Sequence, residues 1–594
     1  MPATISSLEK HYEVIIVGAG IQGLCAAHTF LSINPSVSLL IVDNESSVGG
    51  TWSKRRTFPG LYANNLQGFF EFSDYPMLDA NVGVTPRGTI SGEAASTYLE
   101  NYADAFKLTH LILFKTKVVR ATNTDDDESK AWSLDLVSVN SKDKRGTVTC
   151  SKLVVATGQT STPWYPEFVG SFKKPAIHTA NFGSDSPAIL EDKSINRVSV
   201  IGGGKSAHDA VFALINAGKQ VNWILRKTGR GGTWMANSFP QLGPFSVWLE
   251  GLLMTRPLSW FGACPWSEGD GFGWARYFLH RTSAGRFITR NYFANMSKST
   301  IEQSGVDKQE KTKQLIPKET LQWYGGQAAI LHYGQDFYEL TEKAGVNIIT
   351  ANITNAEADA LILDDGQRIE DDAVIYATGY KFGPSFPLEP EAKRATWGVP
   401  LDSSSPDEKQ FQSLEERADA ELFASFPELR LGPKYPEREP ELGPWRLWRF
   451  IAPPSQVPTT NRNLAFLTNV ETYQNVLKAE LVSLWSYAYL YDELNVQPGS
   501  ANEVMYEATL WSRFGKWRCP MGSQGKTGDT FHDNLPYYDL LLRDLGLKTW
   551  RKGWGVFGEV FGGWYELKDY KGIVQEWMAR RESDAVPAKG QISL

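Results

Sequence analysis

The stretch VIIVGAGIQGLCAAHTFL, residues 14–31, decides how this chain folds. Its first four residues, Val14-Ile15-Ile16-Val17, are apolar and mostly β-branched, the composition of a strand buried on both faces of a parallel sheet. Gly18, Gly20 and Gly23 follow in the spacing G-x-G-x-x-G and open an Ala-rich helix. Each glycine has its own steric task. Gly18 permits a tight turn, Gly20 lets backbone approach a pyrophosphate, and Gly23 lets the helix lie close on the strand. The helix N-terminus then offers free N–H groups and a positive dipole end to phosphate. The spacing alone is weak evidence, because any glycine-rich turn can match it. Here a second apolar strand, residues 37–42, runs into Asp43, twenty residues past Gly23. A carboxylate at that place can accept hydrogen bonds from an adenosine ribose.

The pattern returns downstream. Val198-Ser199-Val200-Ile201 is a short apolar strand, and Gly202-Gly203-Gly204-Lys205-Ser206-Ala207 repeats the fingerprint with Ala in the third position. A helix is expected from Ser206 to about Ala217, stopped by Gly218, with a strand over residues 220–225. That strand ends in Arg226-Lys227, with Arg230 close behind, where the first unit placed a carboxylate. A carboxylate suits the two free ribose hydroxyls of FAD or NAD, whereas a guanidinium suits a 2′-phosphate. The expected ligands are therefore FAD at the first site and NADPH at the second; a solvated basic loop is the plainer alternative for Arg226, Lys227 and Arg230. GGTW trails both units, as Gly49-Gly50-Thr51-Trp52 and as Gly231-Gly232-Thr233-Trp234. The repeat points to two units closed in a similar way.

Composition narrows the field. The 594 residues suffice for more than one core, and 42% hydrophobic with 21% charged is ordinary for a globular protein. A net charge of -7 gives no basic footprint for nucleic acid. The four cysteines, Cys25, Cys150, Cys264 and Cys519, form no Cys-x-x-Cys pair, which argues against a zinc site, a disulfide framework and a dithiol redox centre. No metal site is expected. The polar start MPATISSLEKHYE carries no secretory signal, and no apolar run reaches the ~18–20 residues that span a bilayer. The apolar run FSVWLEGLLM, residues 245–254, is too short, carries Glu250, and reads as a core helix. A cytoplasmic location is the expectation.

In order along the chain, GAGIQG, GGTW after Asp43, Phe72-Ser73-Asp74-Tyr75-Pro76, Val155-Ala156-Thr157-Gly158, Ala377-Thr378-Gly379-Tyr380 and Asn463-Leu464-Ala465-Phe466-Leu467 match motifs of one family. On these motifs residues 12–485 resemble the flavin-containing monooxygenase superfamily, the class B flavoprotein monooxygenases, which includes the Baeyer–Villiger enzymes. The resemblance implies an α/β fold with two Rossmann-type dinucleotide-binding domains, for FAD and NADPH. The FAD domain would be discontinuous, as residues 1–190 and 371–594, the latter including a C-terminal extension. The NADPH domain would span residues 191–370, with a helical, aromatic-rich insertion at about 237–318. A hairpin is expected from residues 132–136 and 147–156, the acidic run Asp125 to Glu128 as a loop, and a loop plus charged helix over residues 403–421. The tail tryptophans Trp511, Trp517, Trp550, Trp554 and Trp564 read as core or interface.

The cofactor contacts that follow are Gly18, Gly20, Gly23, Asp43, Gly50, Thr51, Trp52 and Asn64 for FAD. Those for NADPH are Gly202, Gly204, Ser206, Arg226, Lys227 and Arg230, with Thr378 and Gly379 where the chain returns. Asn64 is the expected catalytic residue: counted back from FSDYP, it falls on the asparagine that lies beside the reactive flavin edge in flavin-containing monooxygenases. Counted forward from Pro59-Gly60, it falls where Baeyer–Villiger enzymes usually carry aspartate. A turn asparagine in Ala63-Asn64-Asn65 is the plainer reading. The family signature F-x-G-x-x-x-H-[ST]-x-x-[FYW] is met by Phe172, His178, Thr179 and Phe182, but Lys174 replaces its glycine, so a different linker path is expected. By the resemblance His178 is structural and no general base.

The implied chemistry is hydride transfer from NADPH to FAD, capture of O2 as a flavin hydroperoxide shielded by the retained nicotinamide cofactor, and insertion of one oxygen atom into substrate. The aromatic insertion and tail suggest a bulky apolar small molecule, in the manner of fungal secondary-metabolism enzymes acting on polyketide or terpenoid intermediates. The alternatives are a Baeyer–Villiger enzyme making an ester or lactone, a pyridine-nucleotide disulfide reductase lacking its cysteine pair, and a non-catalytic flavin-binding scaffold.

Overall fold

The computed structural model describes residues 8–124, 131–141, 143–266, 270–437 and 439–585; the acidic run Asp125 to Glu128 lies outside them. The first glycine fingerprint sits where its sterics require. Strand His11–Val17 is central in a parallel set with Leu39–Val42 on one side and Arg145–Val155 on the other, in the registers Val14↔Leu39 and Ile15↔Leu153. Helix Ile21–Ile33 follows the glycine turn. Val14, Ile15 and Ile16 are fully buried, as a strand covered on both faces must be. The hairpin forms as expected, Trp132–Ser138 pairing antiparallel with Arg145–Val155, and Thr116–Asn123 and Leu388–Glu389 complete that side. The late strand Leu464–Phe466 returns to pair parallel with Arg145–Val155, Leu464 opposite Leu153.

A second, all-parallel sheet runs in the order Asn347–Thr350, Gln220–Leu225, Arg197–Ile201, Ala373–Tyr376, Ala176–His178. Its helix Lys205–Asn216 begins at Gly204, and Gly218 adopts φ +72 just past its end. Two strands fall across the boundaries expected at 190 and 371. Ala176–His178 and Ala373–Tyr376 both pair within the second sheet, so the chain crosses between sheets before residue 176 and after residue 376. The linker residues were assigned from their motif, whereas their strand is fixed by hydrogen bonds to a partner nearly two hundred residues away.

Residues 237–318 are largely helical, with Gly273–Arg281 and the longer Ser283–Ser304 as their main elements. The core helix expected over residues 245–254 is a correction. Only Leu249–Leu253 is helical, and Phe245–Ser246 pairs with Gln241–Leu242 around a turn in which Gly243 takes φ +61. Gly243-Pro244 imposes that turn, and Phe245 is left 70% exposed. The expected charged helix appears as Gln412–Ser425. Helix Asn475–Leu490 is buried along all but its first residue, because helix Ile21–Ile33 covers one side and Asn534–Asp544 another. Of the tail tryptophans, Trp511 is core and Trp554 is 87% exposed.

Candidate active site

The first glycine of each loop stands where only glycine fits, and the strands bearing the A-T-G turns are the reason. A Cβ on Gly18 would stand 2.4 Å from Ala156 O, and one on Gly202 would stand 2.2 Å from Ala377 O. Gly18 and Gly202 also have φ +114 and +136. A Cβ on Gly23 would lie 1.8 Å from Gly18 O, the close helix–strand approach its position predicts. Above the second loop, a Cβ on Gly204 would meet nothing within 4 Å. That open side faces helix N–H groups: Gly20 and Gly204 are N-caps with no side-chain cap. Among the described residues, the N–H groups of Gly20, Ile21 and Gln22, and those of Gly204, Lys205 and Ser206, donate no hydrogen bond. Orphan donors at a glycine-opened helix start fit a pyrophosphate at each loop.

The two GGTW copies cross these loops at equivalent places. Gly49 N–H donates to Ala19 O, between Gly18 and Gly20, at 2.9 Å, and Thr233 N–H donates to Gly203 O, between Gly202 and Gly204, also at 2.9 Å. A Cβ on Gly50 would come 3.2 Å from Gly20 Cα, and a Cβ on Gly203 would come 2.6 Å from Gly231 O. The shared closure extends no further. Gly50–Trp52 is a 3-10 turn, whereas Trp234 opens the strand Trp234–Ala236. The Thr51 hydroxyl meets Thr160 at 2.8 Å, and Trp52 packs edge-on against Phe70.

Asp43 is 7% exposed. It accepts from Ala19 N–H at 2.5 Å and from Glu45 N–H at 2.7 Å, tying the phosphate loop to the turn beyond the strand. Burial raises its pKa against these two bonds. At the second loop Arg226 and Lys227 are exposed, and no acidic side chain pairs with either among the described residues. Lys318 donates to the carbonyls of Lys227 and Gly229 at 2.8 and 2.6 Å, adding a further cation to the loop, and Arg230 O accepts from Tyr324 OH. The Thr378 hydroxyl is used on Trp164 O, and Gly379 O accepts from Trp164 N–H, so this return turn holds the linker.

Asn64 lies on strand Tyr62–Leu66 with its side chain exposed. Its Oδ1 accepts from Ile330 N–H at 3.3 Å, which assigns the amide and leaves Nδ2 without a protein partner among the described residues. The same strand is clamped from the insertion side. Asn65 Nδ2 donates to Glu250 Oε1 at 2.6 Å and to Tyr473 O at 2.7 Å, while Leu66 N–H donates to Glu250 Oε2 at 2.9 Å. Glu250 is buried and its pKa is pushed up to about 7 by loss of water, against three donors that favour the charged form. His332 is neutral, its pKa lowered to about 4 by burial. Its Nδ1 donates to Ala63 O at 2.7 Å, so Nε2 accepts from the Ser238 hydroxyl at 2.5 Å. Glu250, His332 and Ile330 were not singled out by the sequence. Glu250 alone had a signal, as the one charge in an apolar run.

His178 is buried, and its Nδ1 accepts from Ala180 N–H at 3.0 Å, capping the turn Thr179–Asn181. Burial lowers its pKa to about 4. Lys174 needs no left-handed backbone, and its ammonium donates to Asp371 O at 2.8 Å, fastening the linker to the second sheet. A small cleft opens at the C-terminal ends of Arg145–Val155 and Leu464–Phe466, lined in part by Gly158, Trp445, Thr468 and Asn469. Open α/β sheets bind ligands at such strand ends.

Two uncapped glycine loops, each at the end of a parallel strand, fit two dinucleotides. The family model for pyridine nucleotide-disulphide oxidoreductases matches residues 15–238. The FAD-dependent monooxygenase rstn6 of Aspergillus nomiae is 31% identical over 590 residues, covering 96% of this chain and 98% of that protein. The FAD-dependent monooxygenase resA of Aspergillus sclerotiorum is 32% identical over 589 residues, covering 97% and 99%. The crystal structure of cyclohexanone monooxygenase from Rhodococcus sp. Phi1 bound to NADP+ shares the fold, with TM-score 0.55 at 16% identity over 94% of this chain and 99% of that one. The chain belongs to the family of FAD-dependent monooxygenases. Its four cysteines are free and buried.

Proposed function

We propose that this chain uses NADPH to reduce bound FAD and inserts one oxygen atom of O2 into a bulky, largely apolar small molecule of the polyketide or terpenoid kind. In this reading the first sheet carries FAD, the second carries NADPH, and residues 237–318 form an insertion that shapes the substrate side. The observation that carries it is the junction at Asn64. Strand Tyr62–Leu66 follows the first glycine unit, and strand Ala328–Ile330, which meets it, pairs with the strand opened by the second GGTW. When bound, the two cofactors supply the hydride and the activation of oxygen. The protein's part is placement. The orphan N–H groups of the two loops hold the pyrophosphates, and Arg226, Lys227 and Arg230 select a 2′-phosphate. Asn64 Nδ2 is left to donate to oxygen developing negative charge, and it adds no charge of its own. Phe69 and Trp248, buried with ring centroids 4.7 Å apart, pack the apolar core beneath the strand of Asn64 and help hold it in place.

Rapid mixing tests this. The holoenzyme is reduced with NADPH without air, mixed with oxygenated buffer, and followed by its flavin spectrum. The expected result is a species distinct from oxidised and reduced flavin, whose decay quickens with an apolar substrate. Immediate return to oxidised flavin with stoichiometric hydrogen peroxide, unchanged by every substrate offered, would refute oxygen insertion. Failure of NADPH to reduce the flavin would refute the second site. Conversion of a ketone to an ester or lactone would instead establish the Baeyer–Villiger reading.

A further inference from the structure

Residues 271–301 run for two helices without one carboxylate, in a chain whose net charge is -7. They carry Arg276, Arg281, Arg286, Arg290 and Lys298. Arg276 is turned inward onto Asp270 at 2.6 Å, and Arg286 and Arg290 share the single carboxylate of Glu428. Arg281 lies over the Tyr277 ring and donates to the Ser425 hydroxyl, and Lys298 pairs loosely with Glu302 at 3.8 Å. On the same helices Trp274, Tyr277 and Phe287 are 70%, 59% and 61% exposed. Trp274, Tyr277, Phe278 and Arg281 recur at helical spacing, one stripe of rings ending in a cation.

A second group of bare rings comes from the tail. In Trp554-Gly555-Val556-Phe557-Gly558-Glu559-Val560-Phe561, residues Trp554, Phe557 and Phe561 are 87%, 60% and 72% exposed. The one carboxylate there, Glu559, points inward to Arg256 and Tyr565, and Arg256 also grips Asp539. The helix Gly555–Phe561 is thus riveted by its inner face while Phe557 and Phe561 stand outward, one turn apart. Lys548 precedes it in sequence, while the neighbouring Arg551 and Lys552 are turned inward onto Glu576 and Asp569. The two groups are joined beneath by ring contacts, Trp274 to Trp260 to Phe272 to Trp550.

We infer that these two groups form a docking surface for an anionic lipid bilayer, with Trp274, Phe287, Trp554, Phe557 and Phe561 entering the interface. Rigidly held aromatics on a basic pair of helices, whose one carboxylate is Glu302 near the far end of the second, match the chemistry of that interface: amphipathic rings favour the headgroup level, and cations favour an anionic leaflet. No described helix is long and apolar enough to cross a membrane, so the attachment is to one face. A second copy is a poorer occupant, since a two-fold contact would bring the same net basic face to both sides. This assignment stands apart from the reading of the active site, although a lipid surface is also where an apolar substrate would collect.

The test is co-sedimentation of the FAD-loaded full chain with sucrose-filled vesicles, of phosphatidylcholine alone or with phosphatidylserine. Wild type is expected to pellet with the phosphatidylserine vesicles and to be released by high salt. F557S/F561S and W274S should lower the partition coefficient about tenfold each while keeping full flavin content. The cation variant R281Q/R290Q should lower it on phosphatidylserine alone. No pelleting of wild type, or pelleting that these variants leave unchanged, would overturn the assignment. So would a dimer in sedimentation velocity that W274S or F557S/F561S dissolves, which would give the surface to a second copy.

Discussion

Replacing Glu250 by Gln isolates the one buried charge that ties residues 237–318 to the strand of Asn64. Folding raises its pKa from the ordinary 4.5 to about 7, because burial outweighs the bonds from Leu66, Asn65 and Trp248. The folded protein therefore binds a proton more tightly here than the unfolded chain. The stability this gives is fully present below about pH 4.5 and is lost as pH rises through about 7. At about 1.4 kcal/mol per unit, the whole effect is on the order of 3 kcal/mol, and about 2 kcal/mol of it falls between roughly pH 5.5 and pH 8. Glutamine resembles the protonated acid, with one acceptor and one donor side, but cannot ionise. The free energy of urea unfolding, measured for both FAD-loaded proteins across this range, should shift in favour of E250Q by about 2 kcal/mol as pH rises. Taking the difference cancels other buried acids whose pKa values are raised, such as Glu480 and Asp533. A difference that stays constant between pH 5.5 and pH 8 would refute the reasoning, showing that the three donors keep Glu250 ionised throughout.

Three further outcomes are expected. R226A/K227A should weaken NADPH binding by about thirtyfold, the size of ~2 kcal/mol of charge-assisted contact, and leave NADH binding unchanged; titration of both cofactors decides it. G23A should yield protein without flavin, since its Cβ would stand 1.8 Å from Gly18 O, whereas A207G at the matching place should keep NADPH binding; flavin content and a binding titration read this out. N64A should retain both cofactors while raising the hydrogen peroxide released per NADPH oxidised by about tenfold, and unchanged coupling would remove Asn64 from the chemistry.

How far the sequence could be read depends on the range of the interactions involved. The glycine loops were legible because their spacing is local: Gly18, Gly23 and Gly202 lie within a few residues of the strand and helix they join, although the atoms that crowd Gly18 and Gly202 belong to the distant Ala156 and Ala377. The residues around Asn64 were not. Ile330 reaches it across 266 positions and Glu250 reaches Asn65 across 185, and no periodicity encodes such meetings. The linker shows the intermediate case. His178 and Lys174 were visible as motif positions, but their strand belongs to the second sheet through Tyr376, which only the folded register reveals.

The repeated GGTW shows what such a motif conserves. The same four residues form a 3-10 turn in one copy and run into a strand in the other, so the tetrapeptide does not specify a conformation. The crowded glycine differs between the copies: a Cβ on Gly49 would stand 2.9 Å from Trp52 O and one on Gly50 3.2 Å from Gly20 Cα, whereas in the second copy the tightest place is Gly232, 1.9 Å from Leu315 O. What recurs is space at the crossing, where one backbone must pass over a dinucleotide loop close enough to donate an N–H to it. Gly49 supplies that donor in the first copy and Thr233 in the second. A substitution at Gly50 should therefore disturb the adjoining loop, where its Cβ would press on Gly20 Cα. Its first symptom would be loss of the cofactor at that loop alone, with the other site still loaded.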